Sequence, residues 1–544
     1  MESIPLNEEN LPNIALAQQK LNKTNVTPLP TYPRALSSFD GLICHVGVGA
    51  FHRTHEAVYT HEVLLDQMNG SGSSPQRWGI VGVGIRGAST RDVLKEQDYL
   101  YTVLGKDGTT TSVTVVGSLV GFVLSQDDPD GHKLIDFLAD SRTRIVSLTI
   151  TEKGYLLNTS GDLNLENKDV RHDLDHPGEP PRSAAGTLVR ALALRKQRGL
   201  PPFTVLSCDN LPRNGRLARG MVLGFLKAAG DGALLAWAES HCRFPCTMVD
   251  RITPSTTALD DSKTDTYSDE VRKIVQFESC VQDRWPVVSE PFKQWVIEDS
   301  FACGRPAWET RGALFTDCVE PFELMKLRLL NAGHSAMCYG AFLLGHRYMD
   351  CAMLDNTVRG FLAAFMKEQA ATVDSIPEED LKNYQIQVLE RFSNPFIKDT
   401  LARIAQDGSH KLAATMRESA LQNAREGRSV ACFSCAVACW TRFMVGVDES
   451  GEVIDCVVDP RAVELTALAR AAFQCASGCT EAPCHAIKPP DVKNVALLLA
   501  AVFGDDFAET DAIVEAVLDA LSKLAMTSTR QLMTQLANEE HRQL

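Results

Sequence analysis

The chain has 544 residues and a formal net charge of −15, which is too long for one ordinary core and of the wrong sign to hold nucleic acid by neutralising phosphates. Hydrophobic residues make up 44% and charged residues 23%, a globular balance that leaves apolar side chains for two cores. No apolar run is long enough to cross a bilayer, MESIPLNEENLPNIALAQQK lacks the basic-then-apolar order of a secretory signal, and EEHRQL matches no common targeting ending. The sixteen cysteines therefore read as reduced thiols and the location as cytoplasmic, with neither nucleic acid nor membrane as partner. The acidic balance leaves room for a small anionic ligand, because a local cluster can oppose the global field.

In chain order, residues 1–40 are polar and proline-rich and read as an arm lying over the body. Four short, nearly continuous apolar runs follow: LICHVGVG from Leu42, WGIVGVG from Trp78, TRIVSLTI from Thr143 and FTVLSC from Phe203. Runs of that kind are strands buried on both faces of a parallel sheet. Helical segments such as AAGTLVRALALRKQRG, from Ala184, alternate with them, which implies a doubly wound α/β domain over residues 41–310. NGSGSSPQ, residues 69–76, is a loop by composition. Beyond it all, residues 311–544 carry long amphipathic segments, AVELTALARAAFQCA and TDAIVEAVLDALSKLAM among them, and predict a mainly α-helical domain.

VGVGAFHRTH follows the first strand and precedes a helical run. Gly47 and Gly49 supply two glycines of a dinucleotide fingerprint, one for the tight turn and one so that backbone can approach a pyrophosphate. Phe51 and Arg53 of the same stretch are assigned to the cofactor with them, while His52 occupies the third glycine position. A second GVG, Gly82 to Gly84, ends the next strand. There an acid would select NAD, but Arg86, Ser89, Thr90 and Arg91 follow and no acid lies between Gly84 and Arg91. Arginines and hydroxyls suit a 2′-phosphate, so the reading is a Rossmann-like NAD(P) domain leaning to NADP. Glycines for turn geometry alone, and a plain polar loop, are the duller alternatives.

MKLRLLNAGHSAMCYGAFLLGH, from Met325, reads as a core helix interrupted by Lys326, Asn331 and His334. On a helix these stand at 0, +5 and +8, so their directions span about 140° and roughly 12 Å of axis, within one cleft. A lysine desolvated there is a usable proton acceptor near neutral pH, and an asparagine amide can donate to an oxyanion. Taken singly, the duller readings outweigh the catalytic one: Lys326 as a snorkelling surface residue and His334 as a satisfied core histidine.

Taken in order, VGVGAFHRTH, TITEKGY, SCDNLPRNG, MVDRITP, WVIED and KLRLLNAGHS resemble the polyol-specific long-chain dehydrogenases, the mannitol 2-dehydrogenase family, from about residue 40 to 440. The resemblance implies a metal-independent enzyme whose active site lies between the two domains. It implies Lys326 as base, Asn210 and Asn331 as oxyanion donors, His334 beside the substrate and Glu152 in proton movement. Asp250, Arg403 and Lys411 match positions that line the polyol site. The expected reaction is reversible hydride transfer between a nicotinamide cofactor and a polyol, mannitol to fructose first, in a monomer or small homo-oligomer. Arabinitol or sorbitol dehydrogenase and a hexuronate (fructuronate or tagaturonate) reductase are the alternatives; a nucleotide-binding regulator is the non-enzyme one. A zinc enzyme is the rival class. Cys475, Cys479, Cys484 and His485 form the tempting cluster, whereas Cys432 and Cys435 fall in an apolar helical run with Cys439 and read as small core residues.

Overall fold

The computed structural model describes residues 3–68, 70, 76–85, 87–108, 110–128, 130–158, 160–260, 265–474 and 490–541. The chain forms two compact units, Met1–Glu320 and Pro321–Leu544. Of the loop read at residues 69–76, only Gly70 and Gln76 are among the described residues.

The first unit is built on a five-stranded sheet. Its strands are β1 (Gly41–Val46), β2 (Trp78–Gly84), β3 (Leu119–Leu124), β4 (Thr143–Leu148) and β5 (Thr204–Ser207), in the order 3-2-1-4-5. Every pairing is parallel, with Cys44 of β1 opposite Val81 of β2 and Val146 of β4. All six residues of β1 are buried, which is why its sequence is an unbroken apolar run rather than an alternating one. The strand that the sequence hides is β3: it sits at the sheet edge, its four middle residues are half-buried, and Gly121 interrupts it. The helices Glu56–Met68, His132–Leu138 and Ala184–Gln197 connect β1 to β2, β3 to β4 and β4 to β5.

The N-terminal residues contribute more structure than their composition announces. Ile4–Pro5 pairs in parallel with Val281–Gln282, and Leu11–Lys20 is a helix whose Ile14 packs with Leu6, Leu29, Leu100 and Val115. Pro12 is tolerated in that helix because the first turn has no intrahelical acceptor for its missing N–H.

The second unit is helical: among the described residues it has no strand, only two isolated bridges. Its centre is the helix Ala332–Leu343, against which Ala431–Met444 packs, with the rings of Tyr339 and Phe342 each 5.3 Å from Phe443. Cys432, Cys435 and Cys439 are buried in Ala431–Met444, as small core residues. No helix among the described residues is long and apolar enough to cross a membrane.

The start of Ala431–Met444 is capped from outside. Glu368 accepts from the backbone N–H groups of Cys432 (2.8 Å) and Phe433 (2.9 Å), while burial pushes its carboxyl up to about 7. Its ordinary value is 4.5, so between there and about 7 the folded state holds a proton that the unfolded chain has lost. Stability is then fully present below the unfolded value and falls as pH rises through that window, by about 3 kcal/mol at most. Glu368→Gln should flatten that slope, so that melting temperature falls less from acid to mildly alkaline buffer than in the parent. An unchanged slope in the variant would mean that Glu368 is not the group responsible.

Candidate active site

The carboxyl ends of β1, β2 and β4 open on a cavity of about 530 Å³. Its floor is the turn after β1. Gly47 has φ +97°, and a Cβ there would meet the carbonyl oxygen of Thr149 at 2.1 Å, so only glycine fits. Gly49 has a different office: a Cβ built on it finds nothing nearer than 3.7 Å, which leaves this stretch of backbone open to a ligand. Gly84, Thr90, Phe122 and Thr149 also line the cavity, as do two cations that sequence reasoning assigned no role, Lys153 and Arg182. A concave site with glycine backbone at the carboxyl ends of a 3-2-1-4-5 parallel sheet is the cradle a dinucleotide requires, so these residues fit a nicotinamide cofactor.

Several residues assigned to the cofactor from sequence lie elsewhere. Arg53 is fully buried; its guanidinium donates to the Trp285 carbonyl (2.8 Å) and faces the Trp285 ring at 4.3 Å, and burial lowers it to about 10. It is on the buried side of the short helix Ala50–Thr54 and is not among the residues that line the cavity. Phe51 stacks on His55 and packs with the core. Gly82 is interior to β2, where a Cβ would strike the Phe122 ring at 2.5 Å; it makes room for a residue that lines the cavity without doing so itself. Ser89 begins the helix Ser89–Lys95 and is exposed outside the lining, and Arg86 is outside the described residues. The Arg91 guanidinium is already engaged by the carboxylates of Asp92 and Asp127.

Glu152 and Asn210 stand just past the ends of the neighbouring strands β4 and β5, both exposed. Between them is Asp209, within SCDNLP but passed over in the sequence. Its buried carboxylate accepts from the N–H groups of Ile150 (3.0 Å) and Thr151 (2.9 Å) and from the Tyr155 hydroxyl (2.8 Å). Thr151 has φ +60°, a strained conformation for a β-branched residue, and these bonds hold it there. One carboxylate thus ties the segment bearing Glu152 to the loop bearing Asn210. Asp250 ends the strand Thr247–Asp250 and is buried; Asn214 ties that strand to the loop after β5, its amide donating to the carbonyls of Thr247 (3.0 Å) and Asp209 (2.9 Å).

In the helical unit the segment Lys326–Asn331 is not α-helical. It is a π-helical stretch between the helices Glu320–Met325 and Ala332–Leu343. Closure from i to i+5 brings Asn331 under Lys326, closer to one face than the α-helical spacing allows, and such turns concentrate at functional sites. Lys326 is only 7% exposed, and His334 lies one turn on with its ring flat against Phe392 (4.0 Å, 8°). Arg403 and Lys411 are neighbours in the same unit, each with a local partner. Arg403 is bonded to Asp399, and Lys411 Nζ donates to the Ile404 carbonyl at 3.0 Å. Burial, with a smaller contribution from Arg403, lowers the lysine's pKa.

As for metals, the group of three donors close enough for an ion among the described residues is His45, His52 and Glu56. The two imidazoles stack at 3.5 Å and 16°, and in-plane lone pairs of stacked rings do not converge on one ion. Cys475, Cys479, Cys484 and His485 lie outside the described residues.

The sheet order and the glycine turn define a dinucleotide-binding fold of the Rossmann class. The family models for the mannitol dehydrogenase Rossmann domain and the mannitol dehydrogenase C-terminal domain match residues 42–310 and 318–525. Mannitol dehydrogenase 2 of Saccharomyces cerevisiae is 40% identical over 451 residues, covering 81% of this chain and 84% of the relative. D-mannonate oxidoreductase of Escherichia coli is 37% identical over 92% of this chain and 96% of its own. Among solved structures, the Pseudomonas fluorescens mannitol 2-dehydrogenase ternary complex with NAD and D-mannitol aligns with a TM-score of 0.74 at 34% identity, covering 98% of this chain and 100% of that one. The chain belongs to the mannitol dehydrogenase family.

Proposed function

We propose that this polyol dehydrogenase interconverts mannitol and fructose by reversible hydride transfer to a nicotinamide cofactor. The observation that carries the reading is the likeness, over 98% of the chain, to a mannitol 2-dehydrogenase complexed with NAD and D-mannitol. When bound, the nicotinamide supplies the hydride acceptor. The chain's own residues do the rest. Lys326 takes the hydroxyl proton, the amides of Asn210 and Asn331 donate to the oxygen as charge develops on it, His334 orients the substrate, and Glu152 passes the proton on. Asp250, Arg403 and Lys411 hold the remaining hydroxyls. The reading includes a cytoplasmic location and a monomer or small homo-oligomer.

A hexuronate reductase is the second reading, supported by the likeness to the Escherichia coli D-mannonate oxidoreductase. Arg403 and Lys411, which hold hydroxyls in the first reading, are the cations a substrate carboxylate would meet in this one. A panel of mannitol, arabinitol, sorbitol and hexuronates, run in both directions with each cofactor, separates the readings. Turnover of hexuronates alone would overturn the mannitol assignment.

Cofactor choice is proposed as NAD(H), against the lean taken from the sequence. Asp92 and Asp127 both engage the Arg91 guanidinium, which is therefore not left to a 2′-phosphate brought to that end of β2. Catalytic efficiency should be at least as high with NAD(H) as with NADP(H). Asp127→Asn, which loosens Arg91, should raise efficiency with NADP(H) by roughly tenfold, the worth of one charge-assisted contact. A parent protein that strongly prefers NADP(H) would restore the sequence reading.

A further inference from the structure

His52 stands where a dinucleotide fingerprint has its third glycine, and it is fully buried on the inner face of Ala50–Thr54. Its ring lies flat on that of His45 at 3.5 Å, and both face Glu56, whose Oε2 is 3.0 Å from His45 Nδ1 and 3.5 Å from His52 Nε2. Burial and the adjacent His45 hold His52 well below the usual imidazole range, so it packs as a neutral ring. Glu56 opens the helix Glu56–Met68, where the helix dipole favours a carboxylate.

From this group a chain of hydrogen bonds runs to the cofactor turn. The Ser147 hydroxyl donates to Glu56 Oε2 at 2.8 Å and lies 2.8 Å from His45 Nδ1. On the other side of the imidazole, Nε2 is 2.8 Å from the Thr149 hydroxyl, which donates to the Gly47 carbonyl at 2.7 Å. A carbonyl only accepts, so the Thr149 hydrogen is committed to Gly47 and its oxygen is left to accept; His45 Nε2 must then carry a hydrogen. The direction of the chain is fixed at that end, and it terminates on the residue whose φ of +97° shapes the turn. His45 itself does not line the cavity.

We propose that His45, backed by Ser147 and Glu56, acts through Thr149 on the Gly47 carbonyl to hold the glycine turn in the shape that receives the cofactor, which makes His45 a positioning residue for dinucleotide binding. The proposal rests on the reading of the cavity as a nicotinamide dinucleotide site. Linked hydrogen bonds in a buried setting reinforce one another, so removing any member should release the same end-point.

The test is fluorescence titration of the full-length protein with NADH and with NADPH, on His45→Phe, Thr149→Val, Thr149→Ser and the His45→Phe/Thr149→Val double variant, each first shown by its melting curve to be folded without cofactor. His45→Phe and Thr149→Val should each raise the dissociation constant about tenfold, and Thr149→Ser, which keeps the hydroxyl, should stay within about twofold of the parent. The double variant should bind no worse than the weaker single one, whereas a direct contact from Thr149 to the cofactor would make the two losses multiply. At saturating cofactor, kcat and the polyol KM of His45→Phe, whose residue does not line the cavity, should stay within about twofold of the parent. If His45→Phe does not fold, His45→Gln, which retains a donor, and the Thr149 pair carry the same comparison. Parental affinity in folded Thr149→Val, or multiplying losses in the double variant, overturns the proposal. Failure of the parent to bind either cofactor would instead sink the dinucleotide reading beneath it.

Discussion

Lys326→Ala is expected to lower kcat by ~10²–10⁴-fold, the usual worth of a positioned general base, while cofactor affinity changes little. The split follows from location. Lys326 belongs to the helical unit and is not among the residues that line the cavity at the carboxyl ends of β1, β2 and β4. Added primary amines, which can diffuse into the space left by the lysine, should restore part of the rate. Steady-state kinetics at saturating cofactor, beside a direct cofactor titration, check both halves. A variant with full turnover would remove Lys326 from the mechanism.

Gly47→Ala should abolish measurable cofactor binding, raising the dissociation constant by about 10²-fold or more. Two costs combine. The residue sits at φ +97°, where an L side chain is strained by about 1–3 kcal/mol, and the added methyl would lie 2.1 Å from the Thr149 carbonyl oxygen, a backbone atom that cannot swing aside. Relief requires the turn to pull away from β4, which changes the surface a pyrophosphate would meet. Gly49→Ala is the informative companion. Its methyl meets nothing closer than 3.7 Å, so any loss of affinity there reports on how closely a ligand approaches and not on the fold. Titration of both variants with NADH, beside their melting curves, makes the comparison. Parent-like binding in a folded Gly47→Ala would mean that this turn does not carry the cofactor.

The parallel sheet was legible because burial on both faces writes itself into sequence as an apolar run. Gly41–Val46, Trp78–Gly84, Thr143–Leu148 and Thr204–Ser207 all declare themselves in that way, and the half-buried edge strand Leu119–Leu124 does not. The glycine turn was legible because few residues tolerate its geometry. What stayed hidden depends on direction. Arg53 sits within a fingerprint stretch, yet its side chain goes inward to Trp285, and spacing along a five-residue helix says little about which way a residue faces. Asp209 lies beside Asn210 in the sequence, but its part in holding Thr151 appears only when β4 and β5 are seen as neighbours. Arg91 reads as a free cation until Asp127, 36 residues on, is seen against it.

The π-helical stretch at Lys326–Asn331 was illegible for a related reason, since one extra residue in a turn leaves an apolar pattern that still looks helical. It also constrains how the protein can vary. Deleting any single residue between Lys326 and Asn331 would leave a sequence fully able to form a continuous α-helix, and the segment would lose a strained turn in the process. Because the extra residue is absorbed inside the wide turn, the helix Ala332–Leu343 would keep nearly its phase, and the change would fall on the turn itself, where the i to i+5 closure between Lys326 and Asn331 is lost. Substitutions here can be graded in their effect; a one-residue deletion cannot, because it removes the wide turn altogether while leaving a continuous α-helix in its place.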